Sequence, residues 1–249
     1  MPPPCRLTPP LLRAVADQVR ALGWAAALLS GADRLLRRLS GQRWRLYCYR
    51  FVAQAVLGAP LAGRRGAAIT VAALVRSQLP AAYPRRATVL DQRYAQGAFS
   101  LVACRDGQLC GFLWLLYGSY QEDEVRVRYH LVSAHAAWDF DVWVDPKDRL
   151  GLTFSRLWDE ANRLLRARAV TWSCSRISVF NPGSLRAHAR IGTVGLGRAM
   201  FLVCGRWQWM CATLPPYFHL SRRDGTFPHL AFDTSALVHP SARSPHALS

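Results

Sequence analysis

From residue 69 to residue 213 the chain alternates apolar and amphipathic runs in a fixed order: strand, helix, three strands, helix, strand, helix, strand, strand. That order confines it to a mixed α/β fold. The run ITVAALV at 69–75 reads as a strand and RRATVLDQRYAQG at 85–97 as a helix. In FSLVACRDGQLCGFLWLLYG two strands meet at Asp106-Gly107, a hairpin signal. WDFDVWV at 138–144 alternates, which predicts Trp138, Phe140, Val142 and Val144 on one face and Asp139, Asp141 and Trp143 on the other. A helix follows with Leu157, Ala161, Leu164 and Leu165 on its apolar side, then a strand over 169–180, a short helix, and a hairpin made of AMFLVCG and RWQWMCAT.

The segment RWRLYCYRFVAQAV at 43–56 also has strand composition, but a Gly/Ala/Arg-rich connection through Gly66 separates it from the rest. The expected organisation is an appendage over 1–66, a catalytic-size domain over 67–214, and a C-terminal extension over 215–249 that ends in a flexible tail. Upstream, residues 11–39 predict one or two helices. Leu12, Val15, Val19, Leu22, Ala26 and Leu29 recur at steps of three and four, and Arg13, Arg20, Arg34, Arg37 and Arg38 lie mostly off that stripe. Such a helix either packs on the main domain or rests on a membrane surface or an acidic protein.

Hydrophobic content of 51% excludes a disordered chain. The formal net charge of +17 favours anionic partners, namely phosphorylated cofactors, acidic carrier proteins, membrane surfaces or nucleic acid. Lys147 is the only lysine, so the arginine excess also fits a bias in genomic base composition, and no nucleic-acid-binding motif accompanies it. The seven cysteines show no CxxC spacing and fit free thiols in a reducing cytosol. The seven histidines lack zinc-ligand spacing, so no metal site is expected. Nor does any apolar run reach the ~18 residues of a membrane-spanning helix. A cytoplasmic protein, at most peripheral to the inner face of a membrane, is expected.

Three local patterns carry chemistry. In VWVDPKDRLGLTFSRLW, 142–158, a strand gives way to a charged loop with Arg149 and Gly151 and then to a helix beginning near Leu152, a junction whose free N–H groups favour a phosphate. Asp139 and Asp141, two residues apart on one strand face, suit an ammonium group or a base; they equally suit ion pairs with Arg126, Arg128 or Arg176. The charges of YQEDEVRVRYH, with Glu122 and Glu124 alternating with Val125 and Val127, read as the outer face of an amphipathic strand. In NPGSLRAHARIG, 181–192, Asn181 and Pro182 end a strand, Ser184 stands at the helix start, His188 lies within the helix and Gly192 stops it.

Together the second and third β–loop–α units resemble the GNAT superfamily of acyl-thioester-dependent acyltransferases, over residues 69–213. In that family the strand before the loop and the loop itself hold coenzyme A, and the next strand ends in an Asn followed by a small residue, a Tyr and a Gly. Asn181, Ser184, His188 and Gly192 stand at those offsets, with His in place of Tyr. The loop departs too: Arg149 and Gly151 are one residue too close, and counting from Asp148 restores the spacing, with Thr153 in the last small position, but puts an acid first.

The resemblance implies a GNAT-like mixed, mostly antiparallel sheet flanked by helices, with an N-terminal helical extension. It implies transfer of an acyl group, acetyl above all, from coenzyme A to a small-molecule amine. Asp139 or Asp141 would bind or deprotonate the amine, and the backbone at Val142 and Val144 would hold the pantetheine arm. Arg149, Gly151, Leu152 and Thr153 would meet the phosphates, Asn181 and Ser184 would position the cofactor, and His188 would protonate the leaving thiolate or else only fill the space between helix and sheet. Two alternatives stand beside this: a long-chain enzyme resembling N-acyl amino acid synthases, taking acyl-phosphopantetheine from an acidic acyl carrier protein, and a non-catalytic GNAT-like binding protein.

Overall fold

The structure, a computed structural model, describes residues 23–63, 65–222 and 225–238. The expected stripe residues Leu12 to Leu22 and most of the tail lie outside them. Helix α1 (Trp24–Leu39) leads into the long strand β1 (Trp44–Ala55), followed by β2 (Ile69–Leu74) and α2 (Ala87–Ala95). Strands β3 (Phe99–Arg105) and β4 (Gln108–Leu116) form the expected hairpin. Its turn residues Asp106 and Gly107 both have positive φ, 50° and 76°, as the tight turn of a twisted hairpin requires. Short strands β5 (Ser119–Gln121) and β6 (Arg128–Leu131) precede β7 (Ala136–Val144), α3 (Thr153–Ala167), β8 (Trp172–Ser178) and α4 (Pro182–Arg190). The chain closes with β9 (Val194–Cys204), β10 (Trp207–Ala212), β11 (Phe218–Ser221) and β12 (His229–Phe232).

Nine strands make one sheet in the order β11-β10-β9-β1-β8-β7-β4-β3-β2, and β12-β6-β5 make a second. Every pairing in the large sheet is antiparallel except β7 with β8. The expected class, a mixed and mostly antiparallel sheet flanked by helices, is the one observed.

The boundary expected at residue 66 does not divide the structure. β1 lies in the middle of the large sheet, antiparallel to β8 on one side and β9 on the other. Its composition identifies it as a strand, but its partners are more than a hundred residues downstream, and such pairings leave no local trace in a sequence.

Each face of the sheet has its own core. On one, Phe51 of β1, Trp114 of β4, Trp138 of β7 and Phe201 of β9 are buried against Tyr129 of β6 and Phe232 of β12, so the small sheet roofs this side. On the other, α3 lays Leu157, Trp158, Ala161 and Leu165 over Leu113 and Leu115 of β4 and Ala137 of β7. Close approach here depends on Gly111. A Cβ at that position would stand 2.8 Å from Thr153 Cγ2 and 3.0 Å from the Trp143 carbonyl oxygen.

Candidate functional site

The parallel pairing of β7 with β8 begins at Ala136↔Trp172 and stops at Asp139↔Ser175. Beyond that point β7 runs on to Val144 paired with β4 alone, and β8 to Ser178 paired with β1 alone. The two strands therefore part, and backbone groups on the inner edge of each are left without a ladder partner. A bulge opposite Phe112–Trp114 puts Asp141 at φ 50°.

This bulge overturns the expected alternation. Trp138, Phe140 and Trp143 share the aromatic face, whereas Ala137, Val142 and Val144 share the face covered by α3. Asp139 and Asp141 consequently do not form a pair: one extra residue in the strand carries them to opposite sides of the sheet.

On the α3 side, Asp139 is 1% exposed. Its two oxygens accept hydrogen bonds from Ser173 and Ser175, each at 2.6 Å. Burial raises its pKa, against the opposing pull of His188 and the two hydroxyls. His188 is likewise buried and near enough for the two to interact electrostatically. Its Nδ1 lies 3.0 Å from the Ser184 carbonyl oxygen, which makes Nδ1 the donor and turns Nε2 inward; Nε2 is buried without a hydrogen-bond partner. Helix α4 is held as its sequence suggests, with one correction. Asn181, three residues before Ser184, is the cap: its side chain accepts from the Ser184 N–H at 3.0 Å, with Pro182 in the first turn. Gly192, at φ 76°, follows the last turn.

The loop between β7 and α3 is a short 3-10 turn over Pro146–Asp148 whose start is fixed by Asp145, accepting from the Lys147 N–H at 2.9 Å. Asp148 pairs with Arg105 of β3 at 2.6 Å, and this offsets the acid that stands in the loop. The Gly151 N–H donates to the Asp148 carbonyl, 2.9 Å. Helix α3 then starts at Thr153 behind Leu152, with no side chain capping it, so its first-turn N–H groups keep their anion-binding capacity. Arg149 reaches back toward the Val144 carbonyl at 3.4 Å, and the Thr153 hydroxyl is buried against Cys110.

On the aromatic face a chain of charges lies beside the parted strands. Asp141 is held by Arg85, Nε at 2.6 Å, and by Arg93, 2.5 Å. Arg93 also grips Asp123 at 2.6 Å, and its guanidinium lies 5.2 Å from the Trp114 ring centre and 5.1 Å from that of Phe140. Burial pushes the Asp141 carboxyl up, but the two arginines outweigh it and hold it below the ordinary carboxylate range. Such a carboxylate is a weak base, and neither Arg126, Arg128 nor Arg176 is its partner.

Arg176, the first β8 residue past the parting point, pairs instead with Glu122 at 2.7 Å, without hydrogen-bond alignment, and with Glu124 at 2.7 Å. Tyr49 donates to the same Glu124 oxygen, 3.0 Å. The segment 122–127 is thus no amphipathic strand. It is an irregular loop, tied to β10 through Gln208, and Glu122 is buried. Burial lifts the Glu122 pKa to about 7 despite Arg176. Glu122 also lines a cleft of about 580 Å3 between α2, this loop and the β9–β10 turn. Only its partners, distant in the chain, distinguish it from the outer-face glutamate its local sequence suggests.

Among the described residues no cluster of three or more His, Cys, Asp or Glu is arranged to hold a metal, and no helix is long and apolar enough to cross a membrane.

No family model matches the chain, and no curated protein does. Solved structures do resemble it. A conserved protein of unknown function from Staphylococcus epidermidis is similar over 69% of this chain and 67% of its own, at 10% identity and a TM-score of 0.46. A GCN5-related N-acetyltransferase from Sphaerobacter thermophilus is similar over 70% of this chain and 55% of its own, at 16% identity and a TM-score of 0.43. A Trypanosoma brucei acetyltransferase is similar over 50% of this chain and 91% of its own, at 19% identity and a TM-score of 0.35. The chain therefore spans little more than half of the Sphaerobacter protein. Several of the structures it resembles are GCN5-related N-acetyltransferases.

Proposed function

We propose that this chain is an acyltransferase that moves an acyl group, acetyl in the first instance, from a coenzyme A thioester to a small-molecule amine. One observation carries the reading: the parallel pair of the large sheet parts at Asp139 and Ser175, and the free edge of β7 that this opens runs on to Val144, where the uncapped start of α3 sits over Gly111. A pantetheine arm is a narrow, amide-bearing chain ending in a pyrophosphate. The free inner edge of β7 at Val142 and Val144 offers hydrogen bonds to its amides, and the Leu152–Thr153 N–H groups with Arg149 suit its phosphates. Asn181 keeps its amide N–H2 available after capping α4.

Transfer requires the amine nitrogen to attack the thioester carbonyl carbon, forming the C–N bond as the C–S bond breaks. One proton leaves the nitrogen and one arrives at sulfur. We assign the first to Glu122 rather than to Asp139 or Asp141. Asp139 is enclosed with its two serine hydroxyls and Asp141 is held by two arginines, whereas Glu122, although paired with Arg176, is lifted to about 7 and borders an open cleft. His188 supplies the second from Nε2. Since Nδ1–H is committed to Ser184, the ring must carry its second proton on Nε2 when it acts, with Asp139 close by. His188 lies with Asp139 on the α3 side of the sheet, and Glu122 lies on the other face, against Arg176 of β8.

The donor question has one further arm. The runner-up donor is a carrier-protein-bound phosphopantetheine, which the acid at Asp148 of the loop and the +17 charge also suit. The experiment is incubation of the full chain with acetyl-CoA, long-chain acyl-CoA or acylated carrier protein and a panel of amines, with mass spectrometry of the products. Acylated amine and free thiol in equal amounts from one donor is the expected result. Thiol release no faster than spontaneous hydrolysis with all three would leave a binding protein.

A further inference from the structure

Helix α1 leaves a row of large apolar side chains uncovered on the side away from the sheet, opposite the side on which Ala26 and Leu29 face it. It turns Ser30 and Asp33 inward; Asp33 accepts the Leu46 N–H at 2.8 Å and pairs with Arg37 at 2.8 Å. It turns Trp24, Leu28, Leu35 and Leu39 outward, 72%, 71%, 57% and 76% exposed. At 100° per residue these four fall within one narrow stripe. Single exposed apolar residues are ordinary, but a row of four large ones is an interaction surface.

The row does not end with the helix. α1 covers the sheet face that carries Cys48, Met200 and Cys211. The register places Trp44, Trp207 and Trp209 on that same face, since Trp44 and Trp207 both stand opposite Cys204, and Trp209 opposite Leu202. With Leu202 and Cys204 they line an open, mostly apolar groove of about 590 Å3. Charge selects the occupant. Residues 24–50 and 194–222, which supply this helix and these strands, contain nine arginines and a single acid, the inward-turned Asp33. Arg34 and Arg38 are exposed beside the leucine row, and Arg222 lies over the Trp207 ring at 5.0 Å.

We propose that this face docks the protein on an anionic lipid bilayer. Tryptophans and leucines enter the headgroup boundary while arginines meet the lipid phosphates, a combination interfacial helices share. A second copy of the chain would bring arginine face against arginine face, and a nucleic acid would leave the leucine row uncovered.

The test is co-sedimentation of the full chain with vesicles of phosphatidylglycerol and phosphatidylcholine, against phosphatidylcholine alone. Binding is expected to the anionic vesicles and to fall as salt rises. Leu35→Gln with Leu39→Gln should weaken it about tenfold or more, as should Arg34→Gln with Arg38→Gln, while both proteins melt like the parent. Quenching of tryptophan fluorescence by brominated lipid should drop in Trp207→Phe with Trp209→Phe. Three outcomes overturn the proposal: no binding to anionic vesicles at low salt, binding indifferent to the leucine pair and matched by single-stranded DNA, or a solution dimer that the leucine pair dissolves.

Discussion

Glu122→Gln should flatten the dependence of stability on pH. The ordinary glutamate pKa of 4.5 rises to about 7 in the folded protein, chiefly by burial. Between those values the folded state holds a proton that the unfolded chain has released. Stability from this group is therefore fully present below pH 4.5 and is lost as pH rises through about 7. Two and a half pH units at 1.36 kcal/mol each give about 3 kcal/mol. A glutamine is neutral throughout and nearly the same shape, so the variant lacks this slope. The attraction of Arg176 for its charge is already contained in the value of about 7, and exchanging a neutral carboxyl for an amide adds only a constant offset. Asp139, also raised, is present in both proteins and cancels in the comparison. Urea unfolding at intervals from pH 4.5 to 7.5 measures it: relative to wild type, the variant should gain about 3 kcal/mol across the window. Parallel curves would mean that Glu122 stays ionised in the fold, and the assignment of the base would go with it.

Other expectations follow from the same contacts. His188→Ala should lower turnover by roughly 10²–10⁴-fold with little change in donor affinity, read from steady-state kinetics and a binding titration, and His188→Tyr should recover part of the rate. Asp141→Asn strips the buried Arg93 of one partner and should destabilise the domain by about 3 kcal/mol or more in thermal or urea melts. Gly111→Ala forces Thr153 and the Trp143 carbonyl apart and should cost about 1–3 kcal/mol; an unchanged melting point would show that α3 is not seated on β4 as described.

What the chain discloses in its sequence is local. Asp106-Gly107 announces its hairpin because both residues tolerate positive φ, and Asn181, Pro182 and Gly192 bracket α4 because capping is chemistry between near neighbours. The junction at Leu152 and Thr153 is legible for the same reason. Three things are not. The bulge at Asp141 adds one residue to one strand, which hydrophobic alternation reads straight through. β1 takes its place from partners at 172–178 and 194–204, so its composition marks a strand but not its position in the sheet. Glu122 looks like a surface acid until the fold brings Arg176 against it. The site depends on all three, so its frame was readable and its base was not.

The claim most in need of a direct measurement is that a thioester donor lies between β7 and β8 with its phosphates at the start of α3. Thermal melting of the full chain with acetyl-CoA, long-chain acyl-CoA or acylated carrier protein tests it, with Gly151→Val alongside. The Gly151 φ does not demand glycine, and a Cβ there meets the Asp148 carbonyl oxygen at 3.2 Å and Arg105 Nη2 at 3.7 Å, so the variant should fold with a small shift of the loop while crowding the phosphate position. The account predicts that at 100 times its Kd one donor stabilises the wild type by about 2.7 kcal/mol, and that Gly151→Val loses this shift while melting normally without ligand. No shift with any donor at millimolar concentration, or an equal shift in the variant, would contradict it.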